Sequence, residues 1–467
     1  MAVPVHTSPY AGDWYPANAA ELETLLNDRF AESERRTGPY FPPDAVGFVV
    51  PHAAPAWSGA VAAAVYRAIE RQQPEHVILL AFPHRGGLGR IATPDVEAIA
   101  TPLGETAIDR SFLDDFPAVP EWRLCDHSFE IQLPFLQRAA PRARLTPLYV
   151  GPVDDAQRLA AAKVLAAAWR PGAVFVASSD FTHYGRDFGF QPFPNDAAIA
   201  QRLRDLDFAC IDAASSLDAG HFLQTLEGNG ATVCGAAPVA LLLEVLRTLG
   251  GSIYQRTFDY QTSGEINGDF SHSVSYAALG YYGRRSFELD DPDRQALLGC
   301  ARETLRRLRE SGARDSVAPC GGSPALTARR GVFVSLHQKA ELLGCIGNLS
   351  GKNSLAEDVP ELTLSAALED SRFRPAAQVA GDIEIEISVL TPFRLIRNTA
   401  GFSLGRHGAY LTLGERSGLL LPHVAADRDW TIEHFWRALS RKSGLWPDAW
   451  RDPKARLWVF EAQSFAG

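Results

Sequence analysis

The chain has 467 residues, which is too long for one ordinary hydrophobic core and predicts two or three domains. With 46% hydrophobic and 21% charged residues it has a globular composition, and a net charge of -10 argues against a dedicated nucleic-acid binder, which needs a basic surface. The N-terminus does not have the pattern of a secretory signal, and the apolar runs are too short to cross a bilayer. We therefore expect a soluble, cytoplasmic protein that binds neither nucleic acid nor membrane.

Short apolar runs alternate with helical stretches in the first part of the chain. The runs read VGFVV, HVILLAF, LTPLYVG and GAVFVASS. Alanine- and leucine-rich stretches such as AVAAAVYRAIE and AQRLAAAKVLAAAWR lie between them. This order predicts an α/β fold with a mainly parallel sheet covered by helices, and such sheets bind ligands beyond the carboxyl ends of their strands.

A charged, proline-containing segment interrupts this pattern and precedes an amphipathic helix; it reads RRSFELDDPDR. We place the domain boundary there, between a first domain at 1–287 and a second at 293–467. The second domain combines helices with alternating strands such as IEIEISV and a hairpin pattern in LTLGERSGLLL. It is therefore predicted to be an α+β domain.

Three apolar runs of the first domain end in a histidine, namely His52, His84 and His183. If the strands are parallel neighbours, the rings face one crevice, where imidazole serves as a metal ligand or as an acid–base group. A single histidine at a strand end more often only bonds to the backbone. The repetition of apolar strand, proline and histidine at His52 and His84 favours a shared site.

Other ligand-type residues stand near these strand ends. The six cysteines include no C-x-x-C pair, which argues against a disulfide framework or a structural zinc site. Cys234 precedes an apolar helix whose N-terminus favours the thiolate, although a small packed cysteine fits the pattern as well. His127 and Glu130 are three apart at a helix start, where Glu130 would orient His127 or both would cap the helix. Asp180 would orient His183.

Six motifs resemble the Memo family in their order and spacing: AGDWYP, VPHAAPAWSG, DHSFEIQLPFL, SSDFTHYG, VCGAAPVALLL and HSVSYAALGYY. The resemblance covers residues 5–283 and implies a fold like that of the LigB-type (class III) extradiol dioxygenases. It also implies a metal site of His52, His84 and Cys234, with Asp180 and His183 as catalytic residues, of which the histidine is the acid–base group. Fe(II) is the metal we expect, and copper or zinc also suits these ligands.

The family pattern is altered around these positions. The usual PHAGYxYSG is replaced by PHAAPAWSG, which introduces Pro55 and Trp57 and removes an aromatic hydroxyl. Arg85 and Gln132 replace two further histidines of the family pattern. Because the three metal positions are retained, we expect these differences to alter the substrate more than metal binding.

The second domain resembles the AMMECR family over residues 293–466, with the segments ELLGCIGNLS, ISVLTPF, GRHGAYLTLGERSGLLLPHVA and FWRALSRKSGLWPDAW. Cys345 lies between glycines, which fits either a reactive thiol or a tight buried turn. Leu343 replaces the arginine of the family hallmark, and His407 is expected in an exposed turn. Proteins of both families occur with radical-SAM proteins in bacteria, which implies a radical-SAM partner.

Three functions fit these residues. The first is a non-haem Fe(II) dioxygenase acting with O₂ on a small aromatic substrate, in which His183 moves a proton. Its substrate-binding residues would be Trp14, Trp57, His127 and Glu130. The second is a non-catalytic copper- or iron-binding adaptor, since thiolate is a soft ligand. The third is a hydrolase that uses zinc-activated water.

Overall fold

The structure is a computed structural model, and it describes residues 5–111, 115–120, 125–312, 314, 319–339, 341–425 and 429–467. The chain forms two compact units. The first runs as far as Ser286 and the second is Phe287–Gly467, with Pro39–Phe41 assigned to the second unit. Among the described helices, none is long and apolar enough to cross a membrane.

Strands and helices alternate along the first unit. Its strands, β1 to β12, are Val5–Thr7, Ala45–Val50, His76–Ala81, Ile91–Pro94, Ala98–Thr101, Gly104–Ala107, Ala118–Val119, Arg144–Val150, Ala173–Ser178, His183–Gly185, Ile253–Thr262 and His272–Gly283. Its helices, α1 to α9, are Ala19–Thr37, Pro55–Gln72, His127–Glu130, Gln132–Ala139, Asp155–Ala168, Ile199–Ser215, Ala219–Asn229, Ala236–Leu249 and Ser263–Asn267. Strands β1, β5 and β6 form a small sheet, and the other strands form one large sheet.

Four parallel strands form the centre of the large sheet, in the order β2, β9, β3 and β8. They are the four runs that the sequence predicts as strands, and they are buried on both faces almost throughout. Antiparallel neighbours flank them, β12 beside β2 and β4 beside β8, so the sheet is mixed and is parallel mainly at its centre. Since β2 and β3 both pair with β9, the carboxyl ends of these three strands lie side by side.

The altered segment AAPAWSG forms the start of helix α2. Pro55 is the first residue of this helix, a position that suits proline because an N–H there would have no helical partner. Trp57 follows in the same turn and is 40% exposed. The altered segment therefore places a proline at the helix start and an exposed indole shortly after β2.

The second unit contains two antiparallel sheets. Its strands, β13 to β20, are Val332–Gln338, Glu341–Asn348, Glu384–Leu390, Arg394–Ile396, Gly408–Leu413, Arg416–Leu420, Arg456–Phe460 and Ala462–Ala466. Its helices, α10 to α12, are Asp291–Ser311, Leu355–Leu368 and Ile432–Lys442. The sheet orders are β14-β13-β15-β20 and β16-β19-β17-β18. The predicted hairpin is confirmed as β17 and β18, joined by a two-residue turn in which Gly414 has a φ of 60°.

Cys345 lies within strand β14 and not in the tight turn that the sequence suggested. Its Sγ accepts a hydrogen bond from Oγ of Ser335 on the paired strand β13, at 3.2 Å. A Cβ at Gly344 would lie 2.1 Å from the carbonyl oxygen of Ala366 on α11. The glycine beside Cys345 therefore allows a helix to approach the strand closely.

His407 is buried, with 4% exposure, although the sequence suggested an exposed turn. Its Nδ1 accepts a hydrogen bond from the backbone N–H of Ser403 at 2.9 Å. Burial, with the nearby charge of Arg394, lowers the pKa of His407 to about 4. The ring is therefore neutral at pH 7, and protonation at Nδ1 would remove the hydrogen bond from Ser403.

Acid is expected to destabilise the second unit through His407. In the unfolded chain the ring takes up its proton near pH 6.5 but in the folded chain only near a pKa of about 4, so the unfolded state binds more protons in this window. Between pH 7 and pH 5, urea titrations should show the wild-type free energy of unfolding falling by about 2 kcal/mol more than that of His407→Gln. Equal falls in the two proteins would contradict this origin.

Candidate metal centre

Three histidine rings converge beyond the carboxyl ends of the central strands. His52 is the second residue after β2, His84 the third after β3, and His127 the first of the short helix α3. The ring centroids of His52 and His84 are 5.1 Å apart, and that of His127 lies 5.2 Å from the first and 4.2 Å from the second. One ring nitrogen of each lies within 4.8 Å of the others, which is close enough for one metal ion to gather all three.

Ser178, the last residue of β9, sets the tautomer of His52. Its Oγ donates its only proton to the carbonyl oxygen of Ser128. It therefore accepts from Nδ1–H of His52 at 2.9 Å and from the amide of Gln132 at 3.1 Å. In the neutral ring, this leaves Nε2 of His52 with the lone pair that a metal requires.

Asp126 orients His84. Its carboxylate accepts from the backbone N–H of His84 at 2.6 Å and lies 3.4 Å from Nδ1 of the same ring. It also caps α3 by accepting from the backbone N–H and the hydroxyl of Ser128. Burial alone would raise the pKa of Asp126, but the hydrogen bonds from His84 and Ser128 lower it. The ionised carboxylate thus holds Nδ1 and leaves Nε2 of His84 as the ligand atom.

Cys234 lies beside His52, two residues before helix α8. Its Sγ is 3.1 Å from Nε2 of His52 and accepts a hydrogen bond from the backbone N–H of Asp180 at 3.3 Å. The helix N-terminus was expected to favour the thiolate, but burial, followed by the charge of Asp180, raises the pKa of this thiol. The thiol of Cys234 therefore keeps its proton unless a metal cation binds to Sγ and replaces that proton.

Two imidazoles of this cluster, those of His52 and His127, are held neutral. Burial lowers the pKa of His52 well below its usual value and the pKa of His127 to about 3, and the charges of neighbouring histidines add to both shifts. Closely spaced neutral imidazoles beside a thiol are a donor set for iron, copper or zinc. The residues present therefore fit the kind of metal that the sequence resemblance implies.

His183 begins strand β10, and backbone carbonyls orient its ring. Its Nδ1 is 2.9 Å from the carbonyl oxygen of Phe181 and 3.1 Å from that of Thr232, so Nδ1 carries the proton. The carboxylate of Asp180 instead accepts from two backbone N–H groups, the closer being that of His52 at 2.8 Å. The predicted pairing of Asp180 with His183 is therefore wrong, and Asp180 fixes the backbone at His52.

Glu130 contacts His6 and not His127. Its Oε1 is 3.0 Å from Nε2 of His6, and Glu130 is not among the described residues that line the cavity beside the cluster. His127 instead packs against the indole of Trp14, with ring centroids 4.8 Å apart. The cap of α3 is Asp126. The predicted roles of Glu130 in orienting His127 and in capping the helix are therefore wrong, and its role in substrate binding stays a prediction.

The cluster faces a cavity of about 620 Å³. Its lining includes His52, His84, His127, His183 and Cys234, together with Trp14 and Trp57 from the sequence prediction. Phe188 and Tyr276 add further aromatic surface. A largely apolar cavity with a few converging polar groups is typical of a small-molecule site.

A buried carboxylate, Asp207 on α6, holds the segment between β9 and β10. It accepts from the backbone N–H and the hydroxyl of Thr182, at 3.1 and 2.6 Å, and from the phenol of Tyr260 at 2.7 Å. These bonds fix Thr182, which lies between Asp180 and His183. Asp207 was not identified from the sequence. A carboxylate on the apolar face of a predicted helix could have indicated it, because buried carboxylates have hydrogen-bond partners.

The fold and this cluster define a two-unit α/β protein with a candidate metal centre of histidine and cysteine in the first unit. Comparison with protein families matches residues 7–280 to Memo, described as Memo-like protein, and residues 298–465 to AMMECR1. The chain therefore belongs to the Memo family and carries an AMMECR1 domain after its Memo domain.

Individual relatives cover parts of the chain. A MEMO1 family protein of Methanosarcina acetivorans is 33% identical over 58% of this chain and 96% of its own length. Protein MK0488 of Methanopyrus kandleri is 37% identical over 36% of this chain and 86% of its own length. The crystal structure of an uncharacterized protein from Pyrococcus horikoshii is 31% identical, covers 36% of this chain and 89% of its own, and has a TM-score of 0.34.

Proposed function

We propose that the first unit is a non-haem Fe(II)-dependent oxidoreductase that uses O₂ on a small aromatic substrate. The observation that carries this proposal is that three imidazoles and a thiol, those of His52, His84, His127 and Cys234, face a cavity lined by aromatic rings. Fe(II) held by these residues would supply redox chemistry and open positions for O₂ and substrate.

The charges around the cavity favour a neutral or cationic ring over an aromatic acid. Asp13 and Asp269 contribute exposed carboxylates, and the described lining contains no lysine or arginine to pair with an anion. Trp14 and Trp57 supply aromatic surface for a flat substrate. A catechol-like compound without a carboxylate is therefore the expected substrate.

His183 is the residue that would move a proton. Because its Nδ1–H is directed at two carbonyl oxygens, Nε2 carries the lone pair and would accept a proton from a substrate hydroxyl. The same two carbonyls would stabilise the imidazolium that forms, since Nδ1 still donates to them. These contacts support His183 as the general base, whereas Asp180 accepts hydrogen bonds from the backbone at His52 and Ala53.

Replacing His183 with glutamine is expected to separate turnover from metal binding. Iron-loaded wild-type protein, prepared anaerobically, should consume O₂ with catechols. His183→Gln should retain its iron but take up O₂ about 10²-fold more slowly or less, because the proton acceptor is gone. His221→Gln, on α7 and away from the cavity lining, is the matched control and should behave as wild type. Equal rates in His183→Gln and wild type, or no O₂ uptake by the iron-loaded wild type, would overturn the proposal.

One observation favours a second function, copper binding without turnover. Sγ of Cys234 lies 3.1 Å from Nε2 of His52, and thiolate with imidazole is a soft donor pair that suits Cu(I). In that case the AMMECR1 domain would contact a partner, such as a radical-SAM protein, and the Memo domain would carry the metal. Tight Cu(I) binding in chelator competition, together with iron-loaded protein that does not consume O₂, would support this function over the first.

A further inference from the structure

Glu130 is a buried carboxylic acid, and one of its two oxygens has no hydrogen-bond partner among the described residues. The residue is 0% exposed, and its Oε1 contacts Nε2 of His6 at 3.0 Å. Its other oxygen, Oε2, is buried without a hydrogen-bond partner among the described residues. If the carboxyl group is ionised, its buried charge is only partly compensated; if it is protonated, Oε2 still lacks a hydrogen-bond partner. Either state is therefore costly.

A third ligand-type side chain completes the surroundings of this carboxylate. Cys125, which is 1% exposed, has its Sγ within 4.8 Å of a ring nitrogen of His6 and a carboxylate oxygen of Glu130, and those two atoms are as close to each other. The three residues come from separate places, His6 from strand β1, Cys125 from the segment before α3 and Glu130 from the end of α3. Imidazole, thiolate and carboxylate are the ligands that Zn²⁺ uses in proteins.

This second cluster shares no ligand with the first. Within the short segment 125–130, His127 belongs to the cluster beside the cavity and Asp126 orients another of its histidines, whereas Cys125 and Glu130 belong to the second cluster. None of the three residues of the second cluster is among the described residues that line the cavity. A cation there would also explain why Glu130 is buried beside Cys125, since it would occupy Oε2 and balance the charge.

We infer that His6, Cys125 and Glu130 form a second metal site, for a divalent ion of the zinc class, separate from the histidine cluster. Two of its ligands, Cys125 and Glu130, lie at the two ends of the segment that presents His127, and the third, His6, lies on β1. Occupation of this site would tie β1 to α3 and hold that segment in place. The inference does not depend on the function proposed for the first site.

Cobalt provides the test, because a cysteine thiolate bound to Co²⁺ gives a near-ultraviolet charge-transfer absorption. The full chain carrying His52→Ala and Cys234→Ser should still bind one equivalent of Co²⁺ with this absorption. Adding Cys125→Ser should remove the absorption and the bound ion, whereas adding Cys210→Ser, a buried cysteine on α6, should leave both unchanged.

If the combined variants do not fold, the same question can be tested with single substitutions in the otherwise wild-type chain. There, native mass spectrometry with Zn²⁺ should find one ion fewer in Cys125→Ser than in wild type, and an affinity at least 10-fold lower in His6→Ala. Far-ultraviolet circular dichroism establishes that each variant is folded. The inference would be overturned if folded Cys125→Ser bound as many zinc ions as wild type. It would also be overturned if the cobalt–thiolate absorption remained after Cys125→Ser was added to the His52→Ala, Cys234→Ser variant.

Discussion

Replacing His52 or His84 with alanine is expected to abolish metal binding at the histidine cluster while the fold is kept. Each change removes one imidazole whose lone pair is aimed by a partner, Ser178 for His52 and Asp126 for His84. Loss of a ligand should weaken binding by more than the roughly 10²-fold that loss of an outer partner causes. Both rings line the cavity, so their removal enlarges an existing space and leaves the apolar core intact.

The measurement is the metal content of each purified variant after anaerobic loading with Fe(II) and dialysis, with circular dichroism as the check on folding. His272→Ala is the matched control, because His272 is an exposed histidine of β12 that is not part of the cluster. Its iron content should equal that of wild type. Full metal content in both His52→Ala and His84→Ala would show that the ion lies elsewhere.

A methyl group at Gly235 is expected to damage both the fold and the metal centre. A Cβ there would lie 2.4 Å from the carbonyl oxygen of Ser178 and 2.5 Å from Cβ of Ser179. The φ of Gly235 is -89°, which any residue adopts, so the requirement for glycine is purely steric. Gly235→Ala must push the segment that carries Cys234 away from β9, and we expect a loss of about 3 kcal/mol or more in stability.

The change should also weaken metal binding at least 10-fold, because Cys234 would move away from His52. Calorimetric unfolding and metal titration of the same preparation measure the two effects. Gly228→Ala is the control, since Gly228 lies on α7 and a Cβ there meets no atom within 4 Å. It should stabilise the protein by up to about 1 kcal/mol through helix propensity. Wild-type stability and metal affinity in Gly235→Ala would refute this steric account.

The centre of the fold and the first two positions of the histidine cluster could be predicted from local sequence pattern. Strands buried on both faces must be apolar throughout, so β2, β3, β8 and β9 are visible as uninterrupted runs, and His52 and His84 stand just past two of them. The antiparallel direction of β4 and β12 was not predictable in the same way. Whether a strand pairs in parallel or antiparallel depends on neighbouring strands that are distant in the chain. The residues of β4 and β12 alone do not indicate which it is.

The side-chain partners were harder to predict than the histidines of the cluster. A spacing of three suggested that Glu130 would hold His127, yet Glu130 bonds to His6, 124 positions away. Asp180 was expected to bond the nearby His183 and bonds instead to the backbone at His52. Such choices follow from the geometry of the folded chain, since several partners lie within reach of every carboxylate.

Some of these partners did leave a signal in the sequence. Asp126 stands directly before the first residues of a helix, which is the preferred position of a capping aspartate, and the same carboxylate orients His84. The signal for His127 was weaker, because a histidine at a helix start has many ordinary explanations. Only the distances to His52 and His84 bring it into the cluster.

The single hydroxyl proton of Ser178 bears on how the centre would choose among ions. Because that proton is committed to Ser128, the ring of His52 is locked as one tautomer before any ion arrives, and the rotational freedom of the ligand is already lost on folding. Preorganised ligands of this kind do not change position to suit the ion that binds. They would discriminate by ionic radius and preferred bond length as well as by intrinsic affinity, and apo and loaded protein should share nearly the same backbone around β2 and β9.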